Sequence, residues 1–258
     1  MNIEANLMVT FLAFARIFAM LELTPLISAA GMPFAARAGL AFFVANVVAP
    51  TLMATYVLPP SNFEFALLLL TEVLIGLIIG FFVLIIFSIM TSAGQMFSLQ
   101  MGFAATEAFD PTSDIDNTVM GQFLNLAGLF IFLSTFGLQQ LFFIGVSGSF
   151  FHFNAVTLVF AGEGLAMFML NGLVVLFGQA IIIAMPLIGS LFLVSVTMGL
   201  LSKAAPQMNL MMVGFPIQIG VGFIILFLAL PNILTAFMAI VDNMFASFTG
   251  LFRMLGGG

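Results

Sequence analysis

Four of the ten acidic side chains in this 258-residue chain, Glu107, Asp110, Asp114 and Asp116, share one short stretch with no lysine or arginine among them. It reads Gly-Phe-Ala-Ala-Thr-Glu-Ala-Phe-Asp-Pro-Thr-Ser-Asp-Ile-Asp-Asn-Thr-Val, from Gly102 to Val119. Clustered carboxylates can hold calcium, but a calcium loop needs its glycine and terminal glutamate at set spacing, and Pro111 and Ile115 break that pattern. Catalysis finds no better footing. His152 is the one histidine and has no aspartate nearby, Ser147 and Ser149 have no base in sequence reach, and cysteine is absent. Disulfides, thiol chemistry and thiolate metal sites are therefore excluded. No catalytic residue, metal site, cofactor or enzymatic activity is expected.

Two further groups of polar residues lie in apolar surroundings. Glu72 sits inside Leu-Leu-Leu-Leu-Thr-Glu-Val-Leu-Ile-Gly, where an ionisable group is either a functional site or is paired away, here with a neighbouring subunit. Arg16 lies in the first apolar run and could pair with Glu22 or snorkel, with pairing in an assembly the expected role. Gln95, Gln100, Gln122, Gln139, Gln140 and Gln179 are all within apolar runs. Amides there either join helices by hydrogen bonds or line a water-filled path; Gln95, Gln100 and Gln122 flank the acidic stretch and point to the path.

The elements that must position these residues follow from composition. Hydrophobic residues make up 63% of the chain and charged residues 5%, with mean hydropathy +1.31. A soluble domain carries about a quarter of its residues as charges, so this is an integral membrane protein or a subunit buried inside an assembly that is. With net charge −6, and Arg16, Arg37, Lys203 and Arg253 as the only cations, no nucleic-acid patch can be built. The first apolar stretch has no basic region before it and contains Arg16 and Glu22, so it is expected to remain as a helix rather than be cleaved as a signal.

Six apolar runs are visible: Ala5–Leu21, Ala38–Leu58, Phe65–Met101, Val119–Phe151, Leu165–Leu201 and Leu210–Val241. The third would make about 55 Å of helix at 1.5 Å per residue. It must break near Ser92-Ala93-Gly94 or project beyond the hydrocarbon core. Pro50, Pro186, Pro216 and Pro231 fall inside other runs, which predicts bent helices or hairpins whose freed backbone groups find partners in protein. The fold class is all-α, integral to the membrane. Arg37 and Lys203 weakly place their loops in the cytoplasm. Small residues at helical spacing, Gly76/Gly80, Gly145/Ser149 and Gly172/Gly178, support close helix packing. The 19 methionines, with a cluster at Met208, Met211 and Met212, suit packing or an adaptable surface.

Two motifs carry a family resemblance. Ser202-Lys203-Ala204-Ala205-Pro206-Gln207-Met208-Asn209 leads into Val213-Gly214-Phe215-Pro216-Ile217-Gln218-Ile219-Gly220, and Gly94-Gln95-Met96 leads through Gln100-Met101-Gly102-Phe103 to Phe109-Asp110-Pro111. Together they resemble the FliR family of flagellar export-gate proteins, relatives of SpaR and YscT of virulence secretion systems. The resemblance covers essentially the whole chain. Gln218 departs from it, because many relatives carry lysine there.

That resemblance implies a single-copy subunit, joined with FliP and FliQ and touching FlhB, in a closed gate for unfolded export substrates. The gate lies in the bacterial inner membrane at the centre of the flagellar basal body. It also implies a FliP-like part (1–185) followed by a FliQ-like helical hairpin (186–258), and a pore plug at 102–119. The plug and lining would comprise Phe103, Glu107, Phe109, Asp110, Pro111, Asp114 and Asp116 with Gln95, Gln100 and Gln122. Glu72, Lys203, Pro206, Met208 and Pro216 would serve subunit packing. The alternatives are a secondary transporter for a small solute, with Glu72 at its midplane, and the corresponding subunit of a virulence secretion system.

Overall fold

A computed structural model describes residues 3–25, 32–53, 61–103, 118–152, 162–205, 207 and 210–255. Among them there is helix and no strand. The helices are α1 (Ile3–Leu23), α2 (Phe34–Leu52), α3 (Asn62–Met101), α4 (Val119–Ser134), α5 (Gly137–Gln140), a π-helical turn Leu141–Gly148 leading into α6 (Ser149–His152), α7 (Gly162–Ala204) and α8 (Leu210–Leu255). Five of them are long and apolar enough to cross a membrane, and the broken pair Val119–Ser134 and Gly137–Phe151 makes a sixth if counted as one span. All-α membrane architecture is thus the observed class, with the described residues of the six apolar runs on helices or a broken pair.

The apolar sequence explains the helices. In hydrocarbon every backbone N–H and C=O must be satisfied within the segment, and the helix does this. α3, α7 and α8 are continuous over 40, 43 and 46 residues. Of the two alternatives for the third run, the break at Ser92-Ala93-Gly94 does not occur: α3 passes through it. Pro186, Pro216 and Pro231 likewise lie inside unbroken helices. Ser190 and Thr235 hydroxyls donate to the carbonyls of Pro186 and Pro231, each on its own helix. The true break comes at Thr135–Phe136, where Phe136 has φ 58° and Gly137 begins the next helix.

The chain forms two compact units, each assembled from separate stretches. The first comprises 1–86, 136–173 and 241–258; the second comprises 87–135 and 174–240.

In the first unit, α1 lies against α2 and the early part of α3. Gly76 and Gly80 set the α1–α3 approach: a Cβ added at Gly76 would be 2.2 Å from the Arg16 carbonyl oxygen, and one at Gly80 would be 2.6 Å from that of Met20. The four-residue spacing on α3 thus meets the same spacing on α1, as close small-residue packing requires. Phe82 packs against Phe168 with the rings tilted by 34° and meets Phe248 edge-on, bringing α7 and α8 segments to the same core. Gly172 lies under Phe82 and Ile85, whereas Gly178, its sequence partner in the small-residue pattern, faces open space.

In the second unit, Phe87 packs edge-on against Phe132 and Phe237. These three rings are buried.

Candidate functional site

The described residues closest in sequence to the acidic stretch form its two anchored ends, both in the second unit. α3 stops by a specific mechanism. The last carbonyls of a helix have no intrahelical donor. Here the Gly102 N–H donates to the Leu99 carbonyl (3.1 Å) and the Phe103 N–H reaches back to Ser98 (3.2 Å). Gly102 has φ +89°, the left-handed residue that this C-terminal motif places just after the helix. A side chain there would also strike Phe215, whose ring atoms lie 2.8 and 2.9 Å from an added Cβ.

The next free carbonyl, that of Gln100, accepts from the Gln218 Nε2 at 3.1 Å. The other hydrogen of that amide goes to Ser195 Oγ at 2.7 Å, and the Ser195 hydroxyl donates to Leu191 of its own helix. A backbone carbonyl only accepts, so the amide nitrogen must face Gln100. Met101 fills the place a side chain at Gly222 would take, its atoms 2.8 to 3.1 Å from an added Cβ.

The other end is capped as well. Thr118, with extended backbone, accepts the Gly121 N–H on its hydroxyl at 3.2 Å and so caps α4. The two ends meet where Gly94 of α3 approaches α4: an added Cβ would lie 2.5 Å from the Met120 carbonyl and 2.6 Å from Gly121 Cα. One turn before Gly94, Thr91 Oγ1 accepts from Asn125 Nδ2 at 2.7 Å. Thr91, Gly121, Gln122, Asn125 and Leu126 line a cavity of about 270 Å³.

A second polar group is buried in the first unit. Arg16 Nε donates to Glu72 Oε2 at 2.5 Å, and the side chains of both are 1% exposed. Arg16 Nη1 donates to Ser149 Oγ (3.1 Å), and its guanidinium carbon sits 4.1 Å from the Phe150 ring centroid. Ser149 in turn donates to the Val146 carbonyl. The π-helical turn sets the register with which Ser149 and Phe150 follow it, a common use of such turns. Two expectations are corrected here. Glu72 is not a carboxylate awaiting a neighbouring subunit's cation, since its partner is Arg16, 56 positions away. Glu22 does not pair with Arg16 either; it accepts from Arg37 Nη1 at 2.7 Å.

Of the expected plug residues, Phe103 is described and half-buried, its N–H closing the end of α3. Glu107, Phe109, Asp110, Pro111, Asp114 and Asp116 lie outside the described residues. Gln100 joins Gln218 through its backbone, Gln95 packs its Cγ beside Gly121, and Gln122 is exposed at the small cavity. Lys203 is exposed in the last turn of α7, where a cation suits the helix dipole. Pro216 is exposed on α8, and Pro206 and Met208 are outside the described residues. Sequence reading missed Ser195, Phe215 and Gly222 as parts of this arrangement. Gly102 was the available signal, being the glycine that ends a long apolar run.

The family model for bacterial export proteins, family 1, matches residues 7–244. The flagellar biosynthetic protein FliR of Borreliella burgdorferi is 33% identical over 193 residues, covering 73% of this chain and 72% of that protein. The protein of the same name from Bacillus subtilis is 30% identical over 252 residues, covering 95% and 94%. That of Escherichia coli is 30% identical over 224 residues, covering 84% and 82%. A match over nearly the whole chain, at these identities and coverages, places it: the chain belongs to family 1 of the bacterial export proteins, the family of the flagellar biosynthetic proteins FliR.

Proposed function

We propose that the chain is a single-copy subunit of the flagellar protein-export gate in the bacterial inner membrane. There, with FliP and FliQ and in contact with FlhB, it forms a closed conduit for unfolded flagellar proteins. The observation that carries this reading is the apolar exposure of α7. Met167, Leu170, Val174, Phe177, Met185, Phe192, Val196 and Leu200 are all exposed along it, a stripe of about 50 Å at helical rise. The hydrocarbon core is about 30 Å thick, and even a tilt of about 40° leaves several ångströms of stripe outside it. Lipid cannot cover that excess. Protein must, which suits a subunit built into an assembly better than a free-standing carrier.

The division into a FliP-like part (1–185) and a FliQ-like hairpin (186–258) belongs to the same proposal. So does the role of the acidic stretch as a plug. The two helices that flank it touch at Gly94 and Gly121, while the residues between include Pro111 and three aspartates. Such a sequence favours turns over helix or strand and can be displaced at little cost. Its four carboxylates would favour cations or basic segments of a passing chain. The secondary-transporter reading loses its main support, because Glu72, the deeply buried carboxylate among the described residues, is paired with Arg16 within the chain.

The test is genetic and electrical. In a flagellated host lacking its own FliR, the chain should restore secretion of flagellar proteins. Removing 105–117 should leave the assembly intact and raise ion leakage across the membrane severalfold. Wild-type conductance in cells that retain the assembled complex would contradict the plug.

A further inference from the structure

We propose that Gln218 is a positioning residue for the acidic stretch: its side-chain amide caps the Gln100 carbonyl and so fixes the direction in which the chain leaves α3. The proposal rests on the reading of that stretch as the element that occludes the conduit.

The geometry is specific. Gly102 and Phe103 satisfy the carbonyls of Leu99 and Ser98, and the carbonyl of Gln100 is the next one that no N–H of α3 can reach. Gln100 is half-buried, and a buried carbonyl left without a donor is costly. Gln218 supplies that donor from a residue 118 positions away. Ser195 takes the amide's other hydrogen, so both are used and the amide cannot swing freely.

The residues around Gln218 on α8 act on the same helix end. Phe215, three positions earlier, closes over Gly102; Gly222, four positions later, receives Met101. Positions 215, 218 and 222 share one face of a helix. That face therefore holds residues 100 to 102 of α3 at three successive points, and Gln218 provides the polar one.

The chemistry dictates which replacements keep the function. The end of α3 carries the negative pole of its dipole, so a lysine at 218 offers both a donor and a favourable charge. Leucine removes the donor. Glutamate, when ionised, brings a second acceptor and the wrong charge.

The experiment measures hydrogen exchange in a peptide covering 98–103, on the full-length chain purified from membranes. With Gln218→Leu the Gly102 and Phe103 amides should exchange about five- to tenfold faster, as loss of one net hydrogen bond implies. Gln218→Glu should be at least as fast, and Gln218→Lys should stay near the wild-type rate. If Gln218→Leu is not recovered from membranes, Ser195→Ala gives the comparison: it frees the amide and should accelerate exchange about twofold. Ser190→Ala, whose hydroxyl bonds only within α7, should change nothing. Unchanged exchange in both Gln218→Leu and Ser195→Ala, or equal acceleration in Gln218→Lys and Gln218→Leu, would overturn the proposal. Ion leakage in cells separates this from the reading beneath it. Faster exchange with raised leakage in Gln218→Leu, both reversed in Gln218→Lys, supports positioning. Faster exchange with wild-type leakage overturns positioning, and the plug reading then stands or falls on the 105–117 deletion.

Discussion

Arg16 and Glu72 place opposite charges at 1% side-chain exposure among helices that read as membrane-spanning. Their mutual attraction offsets a desolvation cost of several kcal/mol per ion, so removing one partner strands the other. Arg16→Met alone and Glu72→Leu alone should each destabilise the chain by about 3–5 kcal/mol. The double variant should be far less affected than the sum, as thermal unfolding in detergent would show. Equal additivity would mean the two charges do not act as a pair. This pair was invisible in the sequence for a simple reason. The cation and the carboxylate are 56 positions apart, and a nearer acid, Glu22, offered itself. Gln218 was hidden in the same way: its partners lie 23 and 118 positions away, and only the fold brings them within bonding distance.

Among the helices, the glycines divide by what an added methyl would meet. Gly76 and Gly94 face carbonyl oxygens of a neighbouring helix at 2.2 and 2.5 Å from an added Cβ. Backbone cannot yield as a side-chain end can, so alanine at either should cost about 1–3 kcal/mol. Gly178 has nothing within 4 Å, so Gly178→Ala should be neutral or stabilise by up to about 1 kcal/mol through helix propensity. Parallel melting curves of the three variants check this, and a loss at Gly178 matching that at Gly94 would contradict it. These numbers also explain what was legible at this scale. The six apolar runs are plain because hydrocarbon leaves the chain few options. Of the two alternatives for the third run, a break at Ser92-Ala93-Gly94 is the one that fails, because Gly94 serves close approach to α4 and not helix termination. The actual break uses Phe136 in a left-handed conformation, which residue type alone argues against. Pro50, Pro186, Pro216 and Pro231 all lie inside helices and mark none of their ends.

For the whole molecule, the proposed role requires the long apolar helices of this member of the FliR family to be covered by other proteins. Family and membrane class were both readable from the sequence: composition fixed the second, and the motifs around Lys203–Gly220 and Gly94–Pro111 pointed to the first. What covers the helices was not, because an apolar stripe facing lipid and one facing a partner are spelled with the same residues. α3, α7 and α8 would span about 60 to 70 Å if straight, about twice the hydrocarbon thickness. The most direct measurement is the mass and composition of the particle when an affinity-tagged copy of the full chain is extracted from flagellated cells in mild detergent. A stable hetero-oligomer containing one copy of this chain together with FliP and FliQ is the expected result. A particle containing only this chain and detergent or lipid, from cells that export flagellar proteins normally, would contradict it.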